Sequence, residues 1–258
     1  MKLERYIPSE VLLKPFISAF LIIDSDSGAV NRVLPDSALV MAFRLRGSVT
    51  MLDGAERSSL PFAVISGLRK TSRTVCYAPG TANLLVLFRE GGAAAFLREP
   101  VHELFGQSLG LDMLVSQREL GRIEEQLGEA ATHSEKIRRI EEFLLSRLHA
   151  ARPDRLVEEA IQQIKAAKGD INIRKLLAPL SLSLDPFEKR FRRVTGTSPK
   201  QFSSIIRLRN LISHHTGDES LTSLAHAAGY FDQAHFIKDF KSFTGQAPGH
   251  FFAHKDWW

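Results

Sequence analysis

The chain is 258 residues long, 44% hydrophobic and 24% charged, a globular composition that excludes a disordered, collagen-like or low-complexity protein. It has no apolar run near the roughly 20 residues of a membrane helix, no signal-peptide core behind MKLERYIPSE, and one cysteine, Cys76, so a disulfide-free cytoplasmic protein is expected. The net charge of +5 sits beyond residue 150: residues 151–258 carry 16 Lys+Arg against 11 Asp+Glu, whereas residues 1–150 carry 18 of each, and a basic half suits a polyanion partner.

Residues 1–110 read as mostly β. The stretch VLPDSALVMAFRLRGSVTML offers apolar runs from Ala38 to Leu45 and from Val49 to Leu52, followed by Asp53-Gly54 as a hairpin signal. PFAVISG and ANLLVLF are further short strands bounded by Pro and Gly. Many short, punctuated strands predict a sandwich or barrel. Near Gly91 the pattern changes, and GGAAAFLREPVHELFG reads as short helices around Pro100. Residues 1–100 contain no histidine, so the His-rich metal set of a barrel is not expected there, and no cofactor is expected in the chain.

Residues 111–150 turn helical. SQRELGRIEEQL starts with Ser116 and Glu119 as a capping box, then places Leu120, Ile123 and Leu127 on one face. THSEKIRRIEEFLLSRL repeats the device with Thr132 and Glu135, then Ile137, Ile140, Phe143, Leu144 and Leu148. The pair reads either as a hairpin joining two halves or as a dimerisation surface. AARPD, residues 150–154, is the expected domain boundary, because Pro153 stops one helix and Asp154 can cap the next.

From Asp154 onward the chain reads as short helices and contains a repeat. VTGTSPKQF, Val194 to Phe202, recurs as FTGQAPGHF, Phe243 to Phe251, 49 positions later. Phe187, Lys189 and Phe191 match Phe236, Lys238 and Phe240 at the same offset. Ahead of each lies a turn and a shorter helix, INIRKLLAPL or SLTSLAHAAG. Each unit is therefore helix, tight turn, helix. In the second copy Ser220 caps the first helix, Gly229 supplies a turn tolerant of positive φ, and Asp232 caps a helix that presents Gln233, Ala234, His235, Lys238 and Lys241 opposite its phenylalanines. In the first copy Ser183 caps a helix that presents Asp185, Glu188, Lys189 and Arg192. A helical hairpin that only packs a core explains one such copy, but two copies in a basic region weaken that explanation. Ser198, Pro199 and Gln201 then start a helix of about 16 residues, roughly 24 Å long, between the two motifs. A stiff rod of that length can hold both second helices on one side of a duplex, one turn or ~34 Å apart.

SLTSLAHAAGYFDQAHFIKDFKSFTGQAPGHF strongly resembles the DNA-binding signature of the AraC/XylS family of bacterial transcription regulators, and LSLDPFEKRFRRVTGTSPKQF resembles that family's first helix-turn-helix. VLPDSALVMAFRL and LLVLFREGGAAAF resemble, more weakly, the cupin-like N-terminal domain of some members. The fold class implied is α+β: a cupin-like barrel or sandwich at 1–110, a helical linker at 111–150 and an all-α double helix-turn-helix domain at 151–258. The resemblance implies that the second helix of each motif enters a major groove, read by Asp185, Glu188 and Lys189 in one and by Gln233, Ala234, His235 and Lys238 in the other. Asp185 and Pro186 depart from the larger or basic groups usual there. Lys189 and Lys238 suit guanine, Gln233 adenine and Glu188 cytosine; Arg192, Arg193, Lys200, Arg207 and Lys241 suit phosphates, or in part cover the core. Double-stranded DNA is the implied partner, with RNA polymerase as a second and activation ranked ahead of repression. Arg32, Asp36, Met41, Phe43 and Arg89, polar or bulky groups interrupting the apolar strands, are the candidate contacts for a small effector. The alternative reading is a cupin-type enzyme with a basic helical tail; missing metal ligands and paired carboxylates argue against it, and the expected protein is not an enzyme.

Overall fold

A computed structural model describes residues 1–53, 56–149, 154–178, 183–215 and 220–253. The N-terminal part contains strands β1 (Lys2–Tyr6), β2 (Ile17–Ser25), β3 (Ala29–Val33), β4 (Val40–Arg46), β5 (Val49–Asp53), β6 (Glu56–Ser59), β7 (Ala63–Ser66), β8 (Arg73–Tyr77), β9 (Thr81–Phe88) and β10 (Ser108–Gly110). They form two antiparallel sheets, ordered β1-β2-β9-β4-β7-β10 and β3-β8-β5-β6. The sheets do not close on one another, so the expected barrel or sandwich is an open sandwich. The two runs around Gly47 part company: β4 joins the larger sheet and β5 the smaller. β5 pairs with β6 in the register Asp53 to Glu56, as a hairpin there requires, although Gly54 lies outside the described residues.

The strand pattern follows the two-residue period of the pleat. On β9, Ala82, Leu84, Val86 and Phe88 are buried, and Leu84, Val86 and Phe88 face the same apolar cluster as Phe20, Ile22, Met41 and Phe43. That cluster lies against the helices rather than between the sheets. Between the sheets is a smaller one of Ile23, Val49, Val75 and Tyr77, beside an inner polar set in which Arg73 donates to Ser66 Oγ at 2.9 Å and to Ser108 Oγ.

Two helices cover the larger sheet. In α1 (Gln117–Glu129), Ser116 Oγ accepts from Glu119 N–H at 3.3 Å and its hydroxyl donates to the Glu119 carboxylate at 2.8 Å. The carboxylate thus also takes the serine hydroxyl. In α2 (His133–Arg147) the box is complete, with Thr132 N–H bound to Glu135 at 3.1 Å. Leu120, Ile123, Leu127, Ile137, Ile140, Phe143 and Leu144 are all buried within the chain, and Phe143 meets Phe43 edge-on at 6.1 Å. The apolar faces offered to a partner in one reading of the sequence are thus spent on the sandwich. Glu141, 1% exposed, fastens α2 further by accepting from the amide and hydroxyl of Ser9 and the amide of Glu10.

The C-terminal part comprises α3 (Arg155–Ala166), α4 (Ile173–Leu177), α5 (Leu184–Thr195), α6 (Pro199–His214), α7 (Leu221–Ala227), α8 (Gln233–Thr244) and α9 (Pro248–Ala253). Most of the expected boundary, 150–153, lies outside the described residues, as does 179–182 between α4 and α5. Asp154 caps α3 through Val157 N–H at 3.3 Å. The large apolar cluster of the sandwich runs unbroken into these helices.

The repeated phrase has a structural explanation. Each Thr-Gly stops one helix and aims the next. Thr195 Oγ1 donates to the Phe191 carbonyl at 3.0 Å and accepts from Thr197 N–H at 3.4 Å; Thr244 Oγ1 does the same with Phe240 at 2.9 Å and Gln246 at 3.2 Å. Gly196 and Gly245 follow at φ of 88° and 80°, the left-handed cap that only glycine takes without steric cost. Pro199 and Pro248 then open α6 and α9, where a missing N–H costs nothing.

Candidate nucleic-acid interface

The second helix-turn-helix is built from α7 and α8. Ser220 Oγ caps α7 by accepting Ser223 N–H at 3.1 Å. Leu224, Ala225 and Ala228 turn inward, and Gly229, at φ 69°, reverses the chain. Asp232 Oδ1 accepts His235 N–H at 2.7 Å and starts α8. Phe236, Phe240 and Phe243 bury one stripe of α8, which leaves Gln233, Ala234, His235, Lys238 and Lys241 exposed on the other. Thr222 donates to Gln233 Oε1 at 3.2 Å, so the first helix of the motif steadies a candidate base contact on the second. His235 Nε2 stands 3.5 Å from Asp239, and its ring meets Tyr230 edge-on at 5.2 Å.

Tyr230 anchors this motif to α6. Arg207 lies over its ring at 4.3 Å, so this arginine covers the core rather than standing free for phosphate. Burial pushes the Tyr230 phenol up to about 12, and the neutral hydroxyl donates to Asp239 at 3.3 Å. Beside it Phe231 is 94% exposed, a feature that helical periodicity had no means to flag.

The first motif is built on the same plan but differently employed. Phe187 and Phe191 are buried as predicted. Ser183 stands at the N-cap of α5 without a side-chain cap bond, so the expected cap is positional only. Asp185 is exposed. Glu188 and Arg192 pair with each other at 2.6 Å along the helix, and Arg190 pairs with Asp154. Lys189, Arg190, Arg193 and Val194 face the sandwich across a cavity of about 650 Å³, whose other wall includes Phe16, Gly91, Ala95 and Val101. Lys200 and Glu188 instead border a shallow groove with Asn172 and Leu184. Of the six first-copy candidates, Asp185, Lys189, Arg192, Arg193 and Lys200 are exposed and Glu188 is half-buried; Lys189 and Arg193 also border the cavity, and Glu188 and Lys200 the groove.

The five effector candidates do not converge. Met41 and Phe43 are buried core residues. Arg32 is half-buried on β3 in the smaller sheet. Asp36 is exposed and pairs with Arg209 of α6 at 3.4 Å. Arg89 donates Nε–H to the Lys14 carbonyl at 2.8 Å. No group of three His, Cys, Asp or Glu side chains stands where it could hold a metal ion, and no helix is long and apolar enough to cross a membrane, among the described residues.

Comparison with known proteins bears on each half. Residues 176–254 match a helix-turn-helix domain family, and residues 4–110 match a domain of unknown function, DUF6597. Two proteins named HTH-type transcriptional activator RhaS, from Pectobacterium carotovorum and Pectobacterium atrosepticum, are each 30% identical over 80 residues, which is 31% of this chain and 29% of theirs. The chain thus matches under a third of the length of those relatives. Among solved structures, ToxT of Vibrio cholerae aligns over 98% of this chain and 97% of its own at 11% identity, with a TM-score of 0.48. The AraC-like transcriptional activator CuxR aligns over 83% and 87% at 14% identity, with a TM-score of 0.31.

Proposed function

Taking residues 176–254 as a helix-turn-helix domain of the AraC type, we propose that the chain is a sequence-specific DNA-binding transcription regulator whose open sandwich, over 1–110, acts as its sensor. One observation carries this reading: two copies of the motif, joined by the 16-residue α6, of which the second exposes a full set of polar side chains along α8. Gln233 offers both an amide donor and an acceptor to an adenine edge, and Lys238 a donor to guanine. Lys241, Arg192 and Lys200 supply charge for phosphates, which fixes register without reading sequence.

Activation is the direction favoured, since the matched relatives are named as activators, and RNA polymerase is then the second partner. The place for a small effector is the cavity between the sandwich and α5. Its volume suits a metabolite, and its walls belong to both halves of the chain.

The test is selection of bound sites from random duplex DNA by the full chain, followed by affinity measurements across salt concentrations. A consensus with two separated half-sites is expected, with affinity falling steeply as salt rises. Absence of any preferred duplex at moderate ionic strength overturns the reading.

A further inference from the structure

Both reading helices end against the sandwich, and they do so through equivalent residues of the repeat. At the end of α5, a Cβ placed on Gly91 would lie 3.0 Å from Val194 Cγ1, and one placed on Gly196 would lie 3.1 Å from Val101 Cγ1. The helix end thus touches the sandwich turns at these two points, at the edge of the cavity that Gly91, Val101 and Val194 also line. At the end of α8, Ser72 N–H donates to the Phe243 carbonyl at 3.0 Å and Ser72 Oγ–H to the Thr244 carbonyl at 2.8 Å, with Gly245 alongside. Val194, Thr195 and Gly196 stand 49 positions before Phe243, Thr244 and Gly245.

The two sandwich loops involved are tied to each other. Gly67 N–H donates to the Gln107 carbonyl at 3.1 Å, and Gly106 N–H to the Leu68 carbonyl at 2.7 Å. At Gly67 the Leu104 carbonyl approaches so closely that any side chain would collide with it. The segment bearing Ser72 and the segment bearing Val101 are therefore joined to each other. Beside α6, which runs directly from one motif to the other, the sandwich forms a second strut between them.

We propose that this second strut sets the separation of the two reading helices, so that Ser72, Gly91 and Val101 are positioning residues that determine which half-site spacing the protein accepts. The inference rests on the DNA-binding reading. Each base pair inserted between half-sites moves them ~3.4 Å apart and about a tenth of a turn around the duplex. Two heads held at one separation tolerate such a change poorly. The cavity lies beside the α5 clamp and not the α8 clamp, so a molecule bound there acts on one head relative to the other.

The experiment uses the full chain and its selected duplex, in a series with one or two base pairs inserted or deleted between half-sites. For the parent, a one-base-pair change is expected to cost about tenfold or more in affinity. Ser72→Pro removes both bonds to α8; its one-base-pair penalty is expected to fall to about threefold, with base preference inside each half-site unchanged. Ser72→Ala, which keeps the backbone bond, is expected to fall between. If circular dichroism shows Ser72→Pro unfolded, Ser72→Ala and Val101→Ala carry the test. Folded variants with the parent's spacing profile overturn the proposal and leave α6 as the sole spacer. A parent that prefers no duplex at all overturns the DNA-binding reading instead.

Discussion

The helices α5 and α8 share a plan, with Phe187, Lys189, Phe191 and Thr195 recurring 49 positions on as Phe236, Lys238, Phe240 and Thr244, yet their surroundings differ. On α8 the face opposite the phenylalanines exposes Gln233, Ala234, His235, Lys238 and Lys241, with one ion pair of its own between His235 and Asp239. On α5 the corresponding surface is also exposed at Asp185, Lys189 and Arg192, but it carries an internal ion pair and a bond to Asp154, and it borders a cavity against the sandwich. A duplicated motif can thus keep two reading heads while one of them also borders the sensor. The folding interactions stayed alike; the polar positions between them diverged.

The largest expected effect tests the likeness. Phe191 and Phe240 are both wholly buried and occupy the same place in the two copies. Replacing either with Ala removes a ring and leaves a cavity, for a loss of about 3–5 kcal/mol. Urea unfolding should show the two losses to be similar. A much smaller loss for Phe191→Ala would mean that the sandwich, not the motif's own core, holds the first copy.

The next effect tests the difference. Lys238→Ala should weaken binding to the selected duplex by ~1–3 kcal/mol while leaving random DNA nearly unaffected, as removal of a base contact does. Lys189→Ala, whose side chain lines the cavity, should cost less than half as much. Titration of both variants against both duplexes decides the matter. Equal losses would show that Lys189, exposed at the cavity's edge, reads a base as Lys238 does. A loss for Lys238→Ala that is the same on random DNA would demote it to a phosphate contact.

A smaller contrast lies at the helix starts. Asp232 caps α8 with a 2.7 Å bond, whereas Ser183 makes no side-chain cap bond to α5. Asp232→Ala should cost about 1 kcal/mol, and Ser183→Ala close to none, both read from thermal melts. A cost for Ser183→Ala equal to that of Asp232→Ala would show that the two helices start alike in solution.

The likeness between the copies was legible in the sequence because it is local. Thr-Gly followed by Ser-Pro or Ala-Pro states a helix stop and a helix start within six residues, and the phenylalanine spacing states which face is buried. Four strands of the sandwich, β4, β5, β7 and β9, were legible for the same reason, as short apolar runs bounded by Pro and Gly. What covers the remaining faces was not legible. The bond from Ser72 to Thr244 joins residues 172 apart, and that from Ser9 to Glu141 joins residues 132 apart. Serine and glutamate at such positions look like ordinary surface. Periodicity shows that Lys189 lies away from Phe187 and Phe191, but not that a turn of the sandwich stands opposite it. The effector candidates failed to gather for a related reason. An arginine or aspartate interrupting an apolar strand marks a polar site on one strand, whereas a binding site needs several strands to agree.

The two clamps also differ in what they titrate, which gives the smallest and most selective prediction. Around the α8 clamp, Ser72 contributes neutral bonds. Near the α5 clamp, Glu90 of the sandwich binds Lys165 of α3 at 2.7 Å and accepts from Ser37 at 3.1 Å. Burial pushes the Glu90 carboxyl up, but the Lys165 bond and charge, a backbone bond and Ser37 together draw it below its ordinary 4.5. A carboxyl whose pKa is lower folded than unfolded stabilises the fold above the unfolded value and loses that contribution as pH falls through the folded one. Melting temperatures of the parent and Glu90→Gln should therefore differ at neutral pH, with the parent higher, and converge as the solution is acidified from about pH 5 to about pH 3. The difference between the parent and Ser72→Ala should stay constant over the same range, because no proton enters or leaves that contact. If the Glu90→Gln difference also stays constant, the Lys165 pair contributes nothing that the charge alone supplies, and the two clamps hold the reading helices by packing and neutral hydrogen bonds alike.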